Sequence, residues 1–214
     1  MSARAERHVR ALRLAQDCSA LGARARTMHH VTGLTPRELQ RLFFTDPALA
    51  PRGRAPDSPE WYHGANLLYR AEASIFVSVY RRLRNGGFAA GETLVGAYRQ
   101  YQSVCQCPYR ISFDRAFDLA SHTDGIWVTN AAAFSVVACP TCSSEFLDSA
   151  GTIAATHEHC PFCKLVQRYA CDQRVQSSFP EQPLHDAIVI QLRIMAMVCP
   201  HDTNDEASGD RPPE

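Results

Sequence analysis

The chain has 214 residues, 45% hydrophobic and 21% charged, which allows one or two domains with a real core and excludes wholesale disorder. No apolar run reaches the ~18 residues that cross a bilayer; the longest candidate, residues 187–198, is interrupted by Gln191 and Arg193, so no membrane contact is expected. The net charge of zero hides an asymmetry: residues 1–115 hold seventeen Arg against nine Asp/Glu (+8) and residues 116–214 hold five Lys/Arg against thirteen Asp/Glu (−8), so the N-terminal half is the part suited to a polyanion. Only Lys164 is lysine against twenty-one arginines, and ordinary solvated helix faces account for many of these.

The start Met1-Ser2-Ala3-Arg4-Ala5-Glu6-Arg7 leads into an amphipathic pattern and not into the apolar centre of a signal peptide. A soluble, cytoplasmic protein in a reducing compartment follows as the expectation, and disulfides are not expected there. Over residues 4–31 the apolar positions Val9, Leu12, Ala15, Cys18, Leu21, Ala25 and Met28 recur every three or four residues, the mark of one buried helical stripe and of one helix of about that length. Thr32-Gly33 breaks it. Thr35-Pro36-Arg37-Glu38 is then a capping box with proline in the first turn, opening a short helix with Leu39, Leu42 and Phe43 inward and Arg37 and Arg41 outward. Helix, glycine turn and short capped helix are the parts of a helix-turn-helix, in which Arg37 and Arg41 are the candidate contacts to phosphate or guanine. Capped helix pairs are common in all-α proteins, so the pattern alone does not establish DNA reading.

Residues 46–59 hold four prolines and form a surface connector. Ser58 and Pro59 open a long helix carrying Trp61, Leu68, Ala71, Ile75, Phe76, Val79, Tyr80 and Leu83 to a stop at Asn85-Gly86-Gly87. Two more helices are expected, over residues 91–105 with Leu94, Val95, Tyr98 and Tyr101, and over residues 112–127 with Phe113, Phe117, Leu119 and Ile126. Their aromatic side chains read as core or interface and not as base-stacking platforms.

After Asn130 the pattern changes to short strands: Phe134-Ser135-Val136-Val137, Glu145-Phe146-Leu147 and a return at Thr152-Ile153-Ala154. Around them stand Cys139-Pro140-Thr141-Cys142 and Cys160-Pro161-Phe162-Cys163, seventeen residues apart, a spacing that closes a four-thiolate zinc site. Cys139, Cys142, Cys160 and Cys163 are therefore the candidate ligands of one structural Zn2+, with no coordination position open to water or substrate and no catalysis expected. Thioredoxin-like redox chemistry is disfavoured, because such pairs open a helix and the flanks here read as strand. His157 and His159 precede Cys160 and are surplus to a complete set of four sulfurs, and Cys18 fits the apolar face of the first helix. The fold class is mainly α, a helical body with a small C-terminal zinc-ribbon-like four-cysteine module. The organisation is residues 1–130 for assembly and DNA binding, 131–170 for zinc, and 171–214 as a tail, with a helix over 184–198 and a polar end.

Leu21-Gly22-Ala23-Arg24-Ala25-Arg26, Thr32-Gly33-Leu34-Thr35, Ser58-Pro59-Glu60-Trp61-Tyr62, Ala97-Tyr98-Arg99-Gln100-Tyr101, Arg115-Ala116-Phe117-Asp118-Leu119 and the four cysteines, in this order, resemble the flagellar transcriptional activator FlhC family. The resemblance runs from about residue 9 to residue 169. It implies a non-catalytic DNA-binding regulator that assembles with an FlhD-type partner into a hetero-oligomer and activates flagellar operons at promoter DNA through RNA polymerase, with the four cysteines as zinc ligands. The segment after the last ligand, often strongly basic in that family, here has only Lys164 and Arg168 before Cys171-Asp172. The alternative kept beside this reading is a zinc-stabilised assembly protein without direct DNA contact.

Overall fold

The computed structural model describes residues 3–45, 58, 60–105, 107–150 and 160–178. Most of the 46–59 connector, the 152–154 return, His157, His159 and the tail helix over 184–198 lie outside the described residues. The described residues fall within one compact unit, Met1–Phe179, and the second unit, Pro180–Glu214, lies wholly outside them.

The first helical stripe is two helices, α1 (Ala3–Ala20) and α2 (Ala25–Thr32), and not one. Gly22 at φ 80° sits in the left-handed region that glycine tolerates best, and the chain turns there. Of the expected stripe, Ala15, Cys18 and Met28 are buried, Leu12, Leu21 and Ala25 are half-buried, and Val9 is 38% exposed. Gly33, at φ 72°, then closes α2, and α3 (Pro36–Phe43) follows with the expected capping box: Thr35 Oγ1 accepts from Glu38 N at 3.3 Å while Thr35 N donates to Glu38 Oε2 at 2.9 Å.

The expected long helix is likewise divided, into α4 (Glu60–His63) and α5 (Leu67–Asn85). Gly64 and Ala65 leave the helix, and Asn66 restarts it by accepting Tyr69 N on its side-chain oxygen at 3.1 Å. α5 ends as expected before Gly86, and it is the central element: α6 (Ala90–Val104) and α7 (Phe113–Asp124) pack against it. Phe76, Tyr80, Tyr98, Tyr101 and Phe113 fill the space between them, Tyr98 meeting Phe113 edge-on at 5.2 Å. Fully burying each such ring contributes ~1.5–3 kcal/mol. α7 stops at Gly125, φ 67°, short of the expected Trp127.

β1 (Phe134–Ala138) and β2 (Glu145–Ser149) form an antiparallel hairpin in which Val136 faces Leu147. Successive side chains of a strand point to opposite faces, and β2 uses both. Leu147 enters the core of the helical body, while the neighbouring Phe146 is buried against Cys139 and Cys160. α8 (Pro161–Tyr169) and α9 (Gln173–Ser178) complete the unit, with Leu165 and Val175 closing over Ala71 of α5.

Candidate metal centre and basic surface

The first cysteine pair sits on the turn of the hairpin. Cys139 N donates to Ser144 O at 3.0 Å and Ser143 N to Cys139 O at 2.9 Å, which closes a tight knuckle with Ser143 at φ 59°. Thr141 N points at Cys139 Sγ across 3.4 Å, an amide donor that favours a thiolate. The second pair does not lie on a second hairpin. Cys160 caps α8, Pro161 takes the first helical position and Cys163 follows one turn later, so the strand-like flanks expected from the sequence are replaced by a helix. Proline directly after a cysteine, followed by Phe162, Leu165 and Tyr169 at helical intervals, was the available signal.

All four Sγ atoms lie within 4.8 Å of one another, with Cys139 and Cys163 separated by 3.7 Å and Cys142 and Cys160 by 3.8 Å. A tetrahedron of sulfurs about ~2.3 Å from its centre has edges of about 3.8 Å. The donor set therefore fits a tetrahedral cation, and the four cysteines can hold a metal ion. The protonation pattern points the same way. The hydroxyl and amide of Ser144 lower the Cys142 thiol to about 6, and the amide of Cys142 lowers Cys139. The neighbouring Cys142 sulfur pushes Cys163 up to about 12, and burial raises Cys160. Protein groups alone thus favour the thiolate at Cys142 and oppose it at Cys160 and Cys163, and a bound cation would favour the deprotonations they oppose. Cys18 and Cys105 are buried outside the cluster, their thiols pushed up to about 12 by desolvation. They are core residues and not ligands.

Arg37 and Arg41 are exposed on α3, as expected, with Leu39 fully buried beneath them. Leu42 departs from the expectation: it is 48% exposed and not inward. Arg4, Arg10, Arg13, Arg26, Arg37 and Arg41 are exposed and make no hydrogen bond or ion pair with any described residue. Several arginines of the body are engaged: Arg84 with Asp124 at 2.8 Å, Arg99 with Asp17 at 2.6 Å and Arg110 with Glu72 at 2.6 Å. Charge counting found the basic half; only contacts separate these structural arginines from free ones. Among the described residues no helix is long and apolar enough to cross a membrane.

A family model described as "Flagellar transcriptional activator (FlhC)" matches residues 4–176. Among curated proteins the chain is 32% identical over 125 residues to the flagellar transcriptional regulator FlhC of Cupriavidus metallidurans, covering 55% of this chain and 57% of that protein. It is 26% identical over 176 residues to the flagellar transcriptional regulator FlhC of Proteus mirabilis, covering 81% and 88%. A regulator needs no open metal position or catalytic group, and the match extends through both cysteine pairs. The chain belongs to the FlhC family of flagellar transcriptional activators, which are not enzymes.

Proposed function

We propose that this chain is the DNA-contacting subunit of a cytoplasmic activator of flagellar operons, assembled with an FlhD-type partner and acting at promoter DNA with RNA polymerase. In this reading residues 1–130 serve assembly and DNA binding, and residues 131–170 are stabilised by one Zn2+ on Cys139, Cys142, Cys160 and Cys163. The observation that carries it is the set of exposed arginines on α1–α3 that bond to no described residue, which includes Arg37 and Arg41 on the helix after the Gly33 turn. Neutralising phosphates with such side chains releases counterions and supplies sequence-independent affinity, and this reading assigns Arg37 and Arg41 to phosphate or guanine.

The metal's part is structural: four protein sulfurs fix the knuckle to the start of α8. The test is to purify the chain with and without its partner, count zinc per chain, and crosslink a flagellar promoter carrying photoreactive bases. Crosslinks to α1–α3 and one zinc per chain support the reading. Crosslinks confined to the partner return the chain to the role of an assembly protein.

A further inference from the structure

Arg115, in the first turn of α7, has its guanidinium over two aromatic rings at once, 4.9 Å from the ring centroid of Trp61 and 5.5 Å from that of Tyr69. These three side chains, with Ala65 and Asn66, line a solvent-open groove of about 200 Å³ where the α4–α5 junction meets α7. All three are half-buried. Each partner is itself fixed: Trp61 Nε1 donates to the buried Asp118 Oδ2 at 2.8 Å, and Tyr69 stands on the Asn66-capped first turn of α5.

No described acidic group answers this cation. Asp114, next in sequence, is occupied by Arg24 and Thr27, and Asp118, one turn on, is occupied by Trp61. A guanidinium held over ring faces keeps N–H donors that no carboxylate takes, and its planar fork suits a bidentate oxyanion. The start of α7 that carries Arg115 also meets α2. Arg115 adjoins Asp114, whose carboxylate binds the start of α2, and Arg26, the second residue of that helix, is exposed and makes no hydrogen bond or ion pair with a described residue. His30 of α2 stacks on Phe117 of α7 at 6.0 Å, so the two helices are packed together along this line.

We infer that the Trp61–Arg115–Tyr69 groove is a phosphodiester-binding position that extends the DNA contact from α2 across the start of α7. This rests on the DNA-binding reading above. The fixed guanidinium loses little side-chain freedom on binding, and it takes a backbone phosphate without regard to the base beside it.

The experiment uses the full chain in its partner complex, titrated with a flagellar promoter duplex and with a scrambled duplex over a range of salt. Each phosphate contact contributes about 0.9 to the slope of log affinity against log salt. Arg115→Gln is expected to lower that slope by about 0.9 on both duplexes and to weaken both by roughly five- to tenfold at low salt. Arg115→Lys is expected to keep the slope but recover only part of the affinity, because lysine lacks the flat fork. Arg99→Gln, at a surface arginine already paired to Asp17, leaves the slope as in wild type. Gel filtration and melting of each variant report assembly and folding. An unchanged slope and affinity in Arg115→Gln, with wild-type binding intact, overturns the inference. So does a loss of partner assembly with DNA affinity per assembled complex unchanged, since Arg115 then serves a protein contact. A wild-type complex that binds neither duplex instead removes the DNA-binding reading itself.

Discussion

The hydroxyl of Tyr62 donates to the carbonyl oxygen of Leu147 at 2.7 Å, linking α4 to the middle of β2. The amide of the same residue is taken as well: Leu147 N donates to Ser74 Oγ of α5 at 3.1 Å. Both groups are buried, so the strand that carries the cysteine knuckle is fixed to the helical body by hydrogen bonds as well as by Leu147 itself. Tyr62→Phe keeps the ring but leaves the carbonyl unsatisfied, at a cost of ~1–3 kcal/mol. Thermal melting of the metal-loaded protein checks this, and metal content is expected to stay at the wild-type value.

Asp114 ties the N-terminal helices to the body in the same way. Its carboxylate, 3% exposed, accepts Arg24 N at 3.1 Å, Thr27 Oγ1 at 2.6 Å and the Arg24 guanidinium at 2.5 Å. The start of α2 therefore receives a charge-assisted cap from α7, on the favourable side of the helix dipole. Asp114→Ala is expected to destabilise the protein by about 1.5–3 kcal/mol, the range for hydrogen bonds to charged groups, with amide exchange accelerated first in α1–α3. Uniform acceleration over all helices would count against a local role.

What the sequence disclosed was chemistry that acts over three or four residues. The Thr35–Glu38 box, the stop at Gly86 and both strands of the hairpin were legible because each depends on neighbouring side chains. The division of α1 from α2 was hidden because the apolar period keeps its phase across Gly22, so periodicity registers one helix where the backbone makes two. The second cysteine pair was readable as a ligand motif; its place at the start of α8 was signalled only by Pro161 and the helical spacing of Phe162, Leu165 and Tyr169, since two cysteines three apart suit a helical turn as well as a knuckle. Free and engaged arginines are identical in sequence; partners such as Glu72 for Arg110, thirty-eight residues away, separate them.

Removal of the metal should act on the knuckle before the body. The sulfurs join the hairpin turn to the start of α8, whereas α5, α6 and α7 share a core that includes no ligand. With a strong chelator, hydrogen exchange is expected to rise first at residues 139–146 and 160–165 while the amides of α5 remain protected. Cys142→Ser should reproduce this pattern and lower bound zinc below one per chain. Protection of the knuckle unchanged in metal-free protein would remove the metal from its structural role.

The capping box supplies a pH signature. Glu38 accepts from the hydroxyl and then the amide of Thr35, and these bonds hold its carboxyl below the ordinary value of 4.5. A group depressed on folding contributes its stabilisation fully above the unfolded value and loses it as pH falls through the lower folded one. Fraying of α3 is therefore expected only below about pH 4.5, with neutral-pH behaviour flat. Nuclear magnetic resonance of the Thr35 and Glu38 amides follows it, and Glu38→Gln should flatten the acid response by removing the titrating group.

Arg37 and Arg41 are four residues apart on α3, one turn of exposed helix whose opposite side is anchored by Leu39. Neither makes a hydrogen bond or ion pair with a described residue, so replacing both with glutamine removes charge without breaking a bond among the described residues. If both meet phosphate, the salt slope of promoter binding falls by about 1.8 and the loss is equal on scrambled DNA. If one of them reads a guanine edge, its share of the loss is confined to the promoter and amounts to ~1–3 kcal/mol of discrimination. Comparing the two duplexes for each single variant separates these roles. Affinity unchanged on both duplexes in the double variant would place the DNA contact elsewhere on the basic surface, among the arginines of α1 and α2.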